Sequence, residues 1–353
     1  MKNNLLLFSS FLSLALFSSC EKIELPIPKK AFFRREISSF EGIAMTIPYR
    51  IEIGRELTSL EQKKVLSVVD KTFQEIDIIY NKWNPNSEVS KINRLKAHEK
   101  MELSQGLLQL LKRCKYFVQL TNGRFDPTIE PLQALWRRHL ENNSEPTSKE
   151  IEAIRPAIGW DNIIISGKVI KKRHPLTALD LGGIAKGYAV DLLIERLKKL
   201  GFYDVFVEWG GEVKAIGKHP QGRNWAVYIT NLDDLDPEHA LAYVPLKEQA
   251  IATSGDYMQE WHVDKSNTTY FHVFDPKTLR PLQITETSIA SASVLANDCM
   301  TSDALATWLL MCQNLDEAKE AIQKLEKIYP ENAYWLLSRK DVPANTLVPI
   351  GLQ

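Results

Sequence analysis

The sequence predicts an α+β fold, a single large unit of mixed sheets and helices, and three observations carry that expectation. Short apolar, β-branched runs bounded by turn residues read as strands, as at 43–53 and 205–209. Apolar residues spaced three and four apart mark amphipathic helices, as over 60–80. The two kinds of element do not alternate strictly, which argues against a doubly wound parallel sheet.

Taken in order, residues 43–53 (IAMTIPYRIEI) form a strand or hairpin. Val65, Val69, Phe73, Ile76 and Tyr80 share one face of a helix over 60–80. Ser104 can cap a second helix holding Leu107, Leu111, Cys114 and Val118, stopped by Asn122-Gly123. Residues 141–150 are a polar surface loop, as are 231–239. A third helix carries Ala189, Leu193, Leu197 and Leu200, with Gly201 as its stop. VFVEW at 205–209 is a strand ended by Gly210-Gly211. Further strands are expected at 225–230, 269–274 and 288–295, and a last helix from near Ser302.

A chain of 353 residues can bury a sizeable core. Lys+Arg and Asp+Glu balance at 44 each, so no global field draws it to nucleic acid, and no nucleic-acid partner is expected. The start, MKNNLLLFSSFLSLALFSSC, has an apolar stretch too short for a comfortable membrane span and reads as a secretory signal. Cys20 directly after Ser18-Ser19 resembles a bacterial lipoprotein processing site. Lipid chains on Cys20 would bury roughly 0.8 kcal/mol per CH₂ and hold the mature protein at a membrane. The alternative is an ordinary cleaved signal with a chance cysteine. The expected organisation is a signal peptide at 1–19, a lipidated tether at 20–32 and a globular domain at 33–353, on the periplasmic or extracytoplasmic side. Cys114, Cys299 and Cys312 show no zinc-type spacing and are expected to be buried thiols.

The barest stretch of backbone is DLGGIAKGYAVD, residues 180–191. Glycines let a ligand approach the main chain, and a helix that follows offers N–H groups to phosphate. Lys186 adds a positive charge. The other reading is a tight strand-to-helix turn with a solvated lysine. The dinucleotide pattern GxGxxG is absent.

Other stretches accompany it in order: WNPNSEVSKIN (83–93), TNGRFDPTIEPLQALW (121–136), ATSGDY (252–257), FHVFDPKT (271–278) and SDALAT (302–307). Together they resemble the FAD:protein FMN transferase (ApbE) family over about residues 40–313. The resemblance implies that family's architecture and reaction. FAD is bound with Mg²⁺, its pyrophosphate is cleaved, and FMN is joined by a phosphoester to a threonine of an acceptor flavoprotein while AMP leaves. The acceptor is often a membrane redox subunit, and its threonine lies in a Ser/Asp-Gly-Ala/Ser-Thr-like motif.

By that resemblance Asp303 and Thr307 are metal ligands, with the Gly183 carbonyl as the third. Four residues apart on a helix, Asp303 and Thr307 share a face, and a carboxylate with a hydroxyl suits Mg²⁺. A helix-dipole role for Asp303 and core packing for Thr307 is the alternative. His272 matches the family's histidine and is the candidate base, since neutral imidazole accepts a proton near pH 7. Asp275 could orient it or shape the turn before Pro276. Leu279 stands in that turn where the family usually has glycine. Trp83 matches an aromatic residue set against the flavin. Met45 matches a flavin contact, though Thr46 follows where the family has glycine. Arg124, Phe125 and Asp126 match a segment lining the FAD site; Arg124 replaces a small residue and could reach phosphate or solvent. Asp180, Lys186 and Phe271 fall at the same pocket, and Thr253 and Ser254 could hold phosphate oxygens or cap a turn. An FAD pyrophosphatase, or a flavin-binding lipoprotein without turnover, are the alternative functions.

Overall fold

The computed structural model describes residues 37–340, apart from 233, 235, 257 and 258, together with residues 348–350. The signal segment, Cys20 and the tether lie outside the described residues. The described residues begin with a hairpin, β1 (Ser38–Ala44) and β2 (Ile47–Ile53), joined by Met45-Thr46. Both turn residues have positive φ, 48° and 70°. A two-residue hairpin turn of matching twist demands this, and glycine usually supplies it. Helix α1 (Ser59–Tyr80) starts at a Thr58–Glu61 capping box and buries the five residues its spacing singles out. Two short elements follow, α2 (Glu88–Arg94) and β3 (Lys100–Glu102). Ser104 caps α3 (Gln105–Leu120), and Asn122 and Gly123 turn the chain with positive φ.

Helix α4 (Glu130–Leu140) leads to α5 (Ser148–Ile154), which opens on a Thr147–Glu150 capping box. The polar stretch 141–150 is therefore a loop only in its first part. Strands β4 (Ile163–Ser166) and β5 (Val169–Lys172) pair with β3. Helix α6 (Ala185–Lys199) ends at Gly201, φ 89°, with Leu200 exposed rather than buried. Next come β6 (Val205–Trp209) and β7 (Glu212–Ile216), hinged at Gly210 and Gly211. Then β8 (Trp225–Ile229), β9 (Ala242–Leu246), β10 (Ala250–Gly255), β11 (Glu260–Val263), β12 (Thr268–Asp275), β13 (Arg280–Gln283) and β14 (Ile289–Ala296) succeed one another. Helix α7 (Cys299–Leu310) begins ahead of Ser302, because Asp298 caps it by accepting the Thr301 amide. It is not the last helix: α8 (Leu315–Glu326), β15 (Ala333–Ser338) and β16 (Val348–Ile350) follow.

Eight strands form one antiparallel sheet in the order β1-β2-β6-β7-β10-β14-β15-β16. Helices α1, α6 and α7 cover one face. The β8–β9 hairpin covers part of the other through Trp225, Val244 and Leu246, packed on Phe206, Ile251 and Trp335. Strand β14 is buried at every position, as a central strand covered on both faces must be. A separate sheet, β11-β12-β13, stands beside this body and packs with α4 through Trp136, Tyr270 and Phe274. Cys114, Cys299 and Cys312 are free and buried, as expected. Among the described residues no helix is long and apolar enough to cross a membrane.

Candidate active site

The turn Asp180–Gly183, the β6–β7 glycines, Thr253 and Ser254 on β10, His272 on β12, and Asp303 and Thr307 on α7 line one cleft of about 300 Å³. Its floor is set by two helices that complete each other. Helix α6 has no side-chain cap of its own. The Asp303 carboxylate of α7 supplies one, accepting the Gly187 amide at Oδ2, 2.9 Å. In return Asp191 of α6 accepts the Cys299 and Met300 amides at the start of α7, at 2.9 and 3.0 Å. Each carboxylate meets the positive end of the other helix. Gly187 makes this contact achievable: a Cβ there would lie 2.3 Å from the Cys299 carbonyl oxygen.

Asp303 keeps Oδ1 without a hydrogen bond among the described residues. Burial raises its carboxyl, opposed by the Lys186 charge and the Gly187 amide. The Thr307 hydroxyl lies 3.4 Å from the Ser254 hydroxyl. Gly183 lies against both Thr307 and Phe125, where a Cβ would stand 3.3 Å from Thr307 Oγ1 and 3.4 Å from the Phe125 ring. A side chain at 183 would fill the space that backbone and hydroxyl share. These donors are hard oxygens, and no group of three or more His, Cys, Asp or Glu is present among the described residues to hold a softer metal. The set fits Mg²⁺.

Lys186 lines the cleft, partly exposed but not free. It pairs with Glu212 on β7, a residue the sequence reading missed. Glu212 follows two glycines and reads from sequence only as part of a turn; its partner becomes visible when β7 lies beside α6. Burial alone would lower the lysine's pKa, yet Glu212 and then Asp303 hold it above its ordinary value. Asp180 accepts the Gly182 amide at 2.7 Å and pairs with Lys82 at 2.9 Å. Burial acts to raise the Asp180 carboxyl, but Lys82 prevails and the pKa falls. Lys82 also meets Glu130 and is a second partner that spacing did not reveal.

His272 turns into the cleft. Its Nδ1 is buried and has no hydrogen-bond partner among the described residues. Burial, then the Lys186 charge, lowers its pKa below the ordinary value, so the ring is neutral near pH 7. Asp275 does not orient it: the carboxylate accepts the Lys277 amide at 2.7 Å and shapes the turn instead. Leu279 sits in that turn with φ 57°, so the chain keeps a glycine-type backbone without glycine. Thr253 and Ser254 are strand residues rather than turn caps; Thr253 bonds Ser293 at 2.8 Å.

Phe125 and Asp126 line the cleft as expected. Asp126 is engaged by Thr128 and the Trp160 amide, a structural role. Arg124 also lines it, but points elsewhere: Glu317 at 2.9 Å and the Met311 carbonyl at 3.0 Å take its guanidinium. Three expected residues are not in the cleft wall. Met45 occupies the hairpin turn and faces Tyr49 and Phe73, while Ile47 of the same hairpin reaches the cleft. Phe271 is next to His272 on β12, where successive side chains face opposite ways, and it is buried in the core. Trp83 is exposed, its ring between Arg137 at 4.6 Å and Lys82 at 5.0 Å.

A histidine sharing one cleft with a carboxylate, hydroxyls and bare glycine backbone is a set suited to group transfer at phosphorus, and on this α+β body it points to the class of phosphate-transferring enzymes. The chain belongs to the ApbE family, whose sequence model matches residues 45–329. It is 37% identical over 289 residues to an FAD:protein FMN transferase of Chlamydia trachomatis, covering 81% of this chain and 88% of the relative. An FAD:protein FMN transferase of Vibrio cholerae is 29% identical over 301 residues, covering 85% of each. The apo crystal structure of the Pseudomonas stutzeri flavinyl transferase ApbE matches with a TM-score of 0.75 at 26% identity, covering 90% of this chain and 94% of that one. The Thermotoga maritima ApbE crystal structure matches with a TM-score of 0.75 at 25% identity, covering 89% and 96%.

Proposed function

We propose that this protein, an FAD:protein FMN transferase, joins the FMN half of FAD to a threonine hydroxyl of an acceptor flavoprotein, with Mg²⁺ held by Asp303, Thr307 and the Gly183 carbonyl. The observation that carries the reading is the buried Nδ1 of His272, unpartnered among the described residues, in the same cleft as that oxygen set. His272 takes the proton of the acceptor hydroxyl, and the freed oxygen attacks the FMN phosphorus. The bond from that phosphorus to the bridging oxygen breaks, and AMP leaves with the electron pair. Mg²⁺ bound at Asp303 would neutralise charge on the pyrophosphate oxygens. Gly182 and Gly183 leave room for those oxygens, and the Thr253 and Ser254 hydroxyls can donate to them. A cleft of about 300 Å³ is small for a whole dinucleotide, so much of FAD would extend past its rim.

The test is incubation of the protein with FAD and Mg²⁺, with and without a threonine-bearing acceptor domain, followed by flavin fluorescence of the denatured acceptor. Covalent label that needs both Mg²⁺ and the threonine is expected. AMP and FMN released equally without acceptor would make it a pyrophosphatase instead. Asp303→Ala should abolish labelling. The Cys20 motif further supports a lipid anchor on an extracytoplasmic membrane face and an acceptor at that face. Cys20→Ala should leave the processed protein in the soluble fraction; retention in membranes would exclude the anchor.

A further inference from the structure

The Lys186–Glu212 pair has no task in the transfer just described, yet it is unusually costly to keep. Glu212 is 1% exposed. One oxygen pairs with Lys186, and the other, Oε2, is buried without a partner among the described residues. A carboxylate buried with one oxygen bare loses hydration that nothing replaces. Such a group calls for an explanation beyond packing.

The explanation lies in what Lys186 would otherwise do. It directly precedes Gly187, the residue whose amide binds Asp303. Apart from Glu212, the carboxylate that acts most on its charge is Asp303, and both line the same cleft. An ammonium free to move there would pair with Asp303 and occupy the oxygen that a cation needs. Glu212 stands on β7, next to the Gly210-Gly211 turn, near enough for the Asp303 charge to act on its carboxyl, and it is Glu212 that takes the ammonium in an ion pair. We propose that Glu212 is a positioning residue that holds the Lys186 ammonium off Asp303, so that the Asp303 carboxylate stays open to a divalent cation. This rests on the reading of Asp303 as a cation donor.

The test measures Mn²⁺ binding to the purified full chain without FAD, by the electron paramagnetic resonance signal of free Mn²⁺. Wild type should bind, and Asp303→Ala should not; binding retained by Asp303→Ala, or absent in wild type, would overturn the donor reading and the inference with it. Given that baseline, Glu212→Gln should bind Mn²⁺ about tenfold or more weaker, since a released ammonium competes for Asp303. The double variant Glu212→Gln/Lys186→Met removes the competitor and should restore binding to within about threefold of wild type. Unchanged binding in Glu212→Gln refutes the inference while leaving the donor reading intact. Weak binding that the double variant fails to restore also refutes it, because loss through misfolding would not be repaired by removing the lysine. Should Glu212→Gln not fold, Glu212→Asp asks the same question with a carboxylate one methylene too short, and wild-type Mn²⁺ binding by that variant would refute the inference.

Discussion

Replacing Leu279 with glycine restores the residue type that a backbone of φ 57° favours, and two opposed effects decide the outcome. Leucine in the left-handed region costs roughly 1–2 kcal/mol, which glycine would relieve. Glycine also has a more flexible unfolded chain, which takes back about 0.5–1 kcal/mol. Against the small net gain stands the side chain itself. Leu279 is 2% exposed and packs with Trp136, Tyr270 and Phe274. Truncating a buried leucine typically costs about 2–5 kcal/mol through lost transfer energy and the cavity left behind. The backbone contacts survive the change: the Leu279 amide donates to Asp275 at 2.9 Å and its carbonyl accepts from Trp136 at 3.0 Å. The expected result is a net loss of about 2–4 kcal/mol. Equilibrium urea unfolding should show a lower midpoint at similar slope, while the FMN transfer rate at low temperature changes little. A Leu279→Gly protein as stable as wild type, or more so, would refute the reasoning that side-chain burial outweighs the turn's strain.

Other outcomes follow from the same geometry. His272→Ala should bind FAD nearly as tightly as wild type and transfer FMN about 10²–10⁴ slower, as measured in single turnovers. In the wild type the rate should fall on the acid side, below the ordinary imidazole value of about 6.5, because burial and Lys186 push His272 down and only its neutral form accepts a proton; that acid limb should vanish in the variant. Gly187→Ala forces a Cβ to within 2.3 Å of the Cys299 carbonyl, so thermal unfolding should reveal a loss of about 2–3 kcal/mol or more, together with weaker Mn²⁺ binding. Lys172 is fully buried and donates to the carbonyls of Asn93, Pro175 and Thr177 at 2.8, 3.1 and 2.7 Å. Lys172→Met would leave those oxygens without their donor and should cost about 3–5 kcal/mol in urea unfolding.

What the sequence made legible was local. VFVEW is a strand at its stated residues because four β-forming residues around Glu208 meet two glycines that turn with positive φ. The long helix over 60–80 declares itself by spacing, and Ser104 by its place before an apolar run. Asp303, Thr307, Gly183 and His272 converge because each lies in a motif that resembles a known family. Partners from distant elements were not legible. Glu212 meets Lys186, and Glu317 meets Arg124, only once β7 lies beside α6 and α8 beside the 121–126 turn. Side-chain direction was also hidden: Phe271 and His272 are neighbours on one strand and therefore diverge, and Trp83's aromatic character did not say on which side of Lys82 it would rest.

The mutual closure of α6 and α7 has a consequence for motion. Helix pairs that only pack can slide or pivot, and many clefts admit substrate by such shear. Here each helix start is tied by the other's carboxylate, with Gly187 leaving no slack between backbones. Translation by even part of a turn would strand both carboxylates and the amides they serve. The floor therefore has no inexpensive hinge, and any adjustment needed to admit FAD would fall to the walls: the β1–β2 hairpin that brings Ile47, and the small sheet that carries His272. If His272 accepts the proton and Asp303 holds the cation as proposed, such an adjustment would move the one relative to the other, and assembling the pair would be part of binding itself.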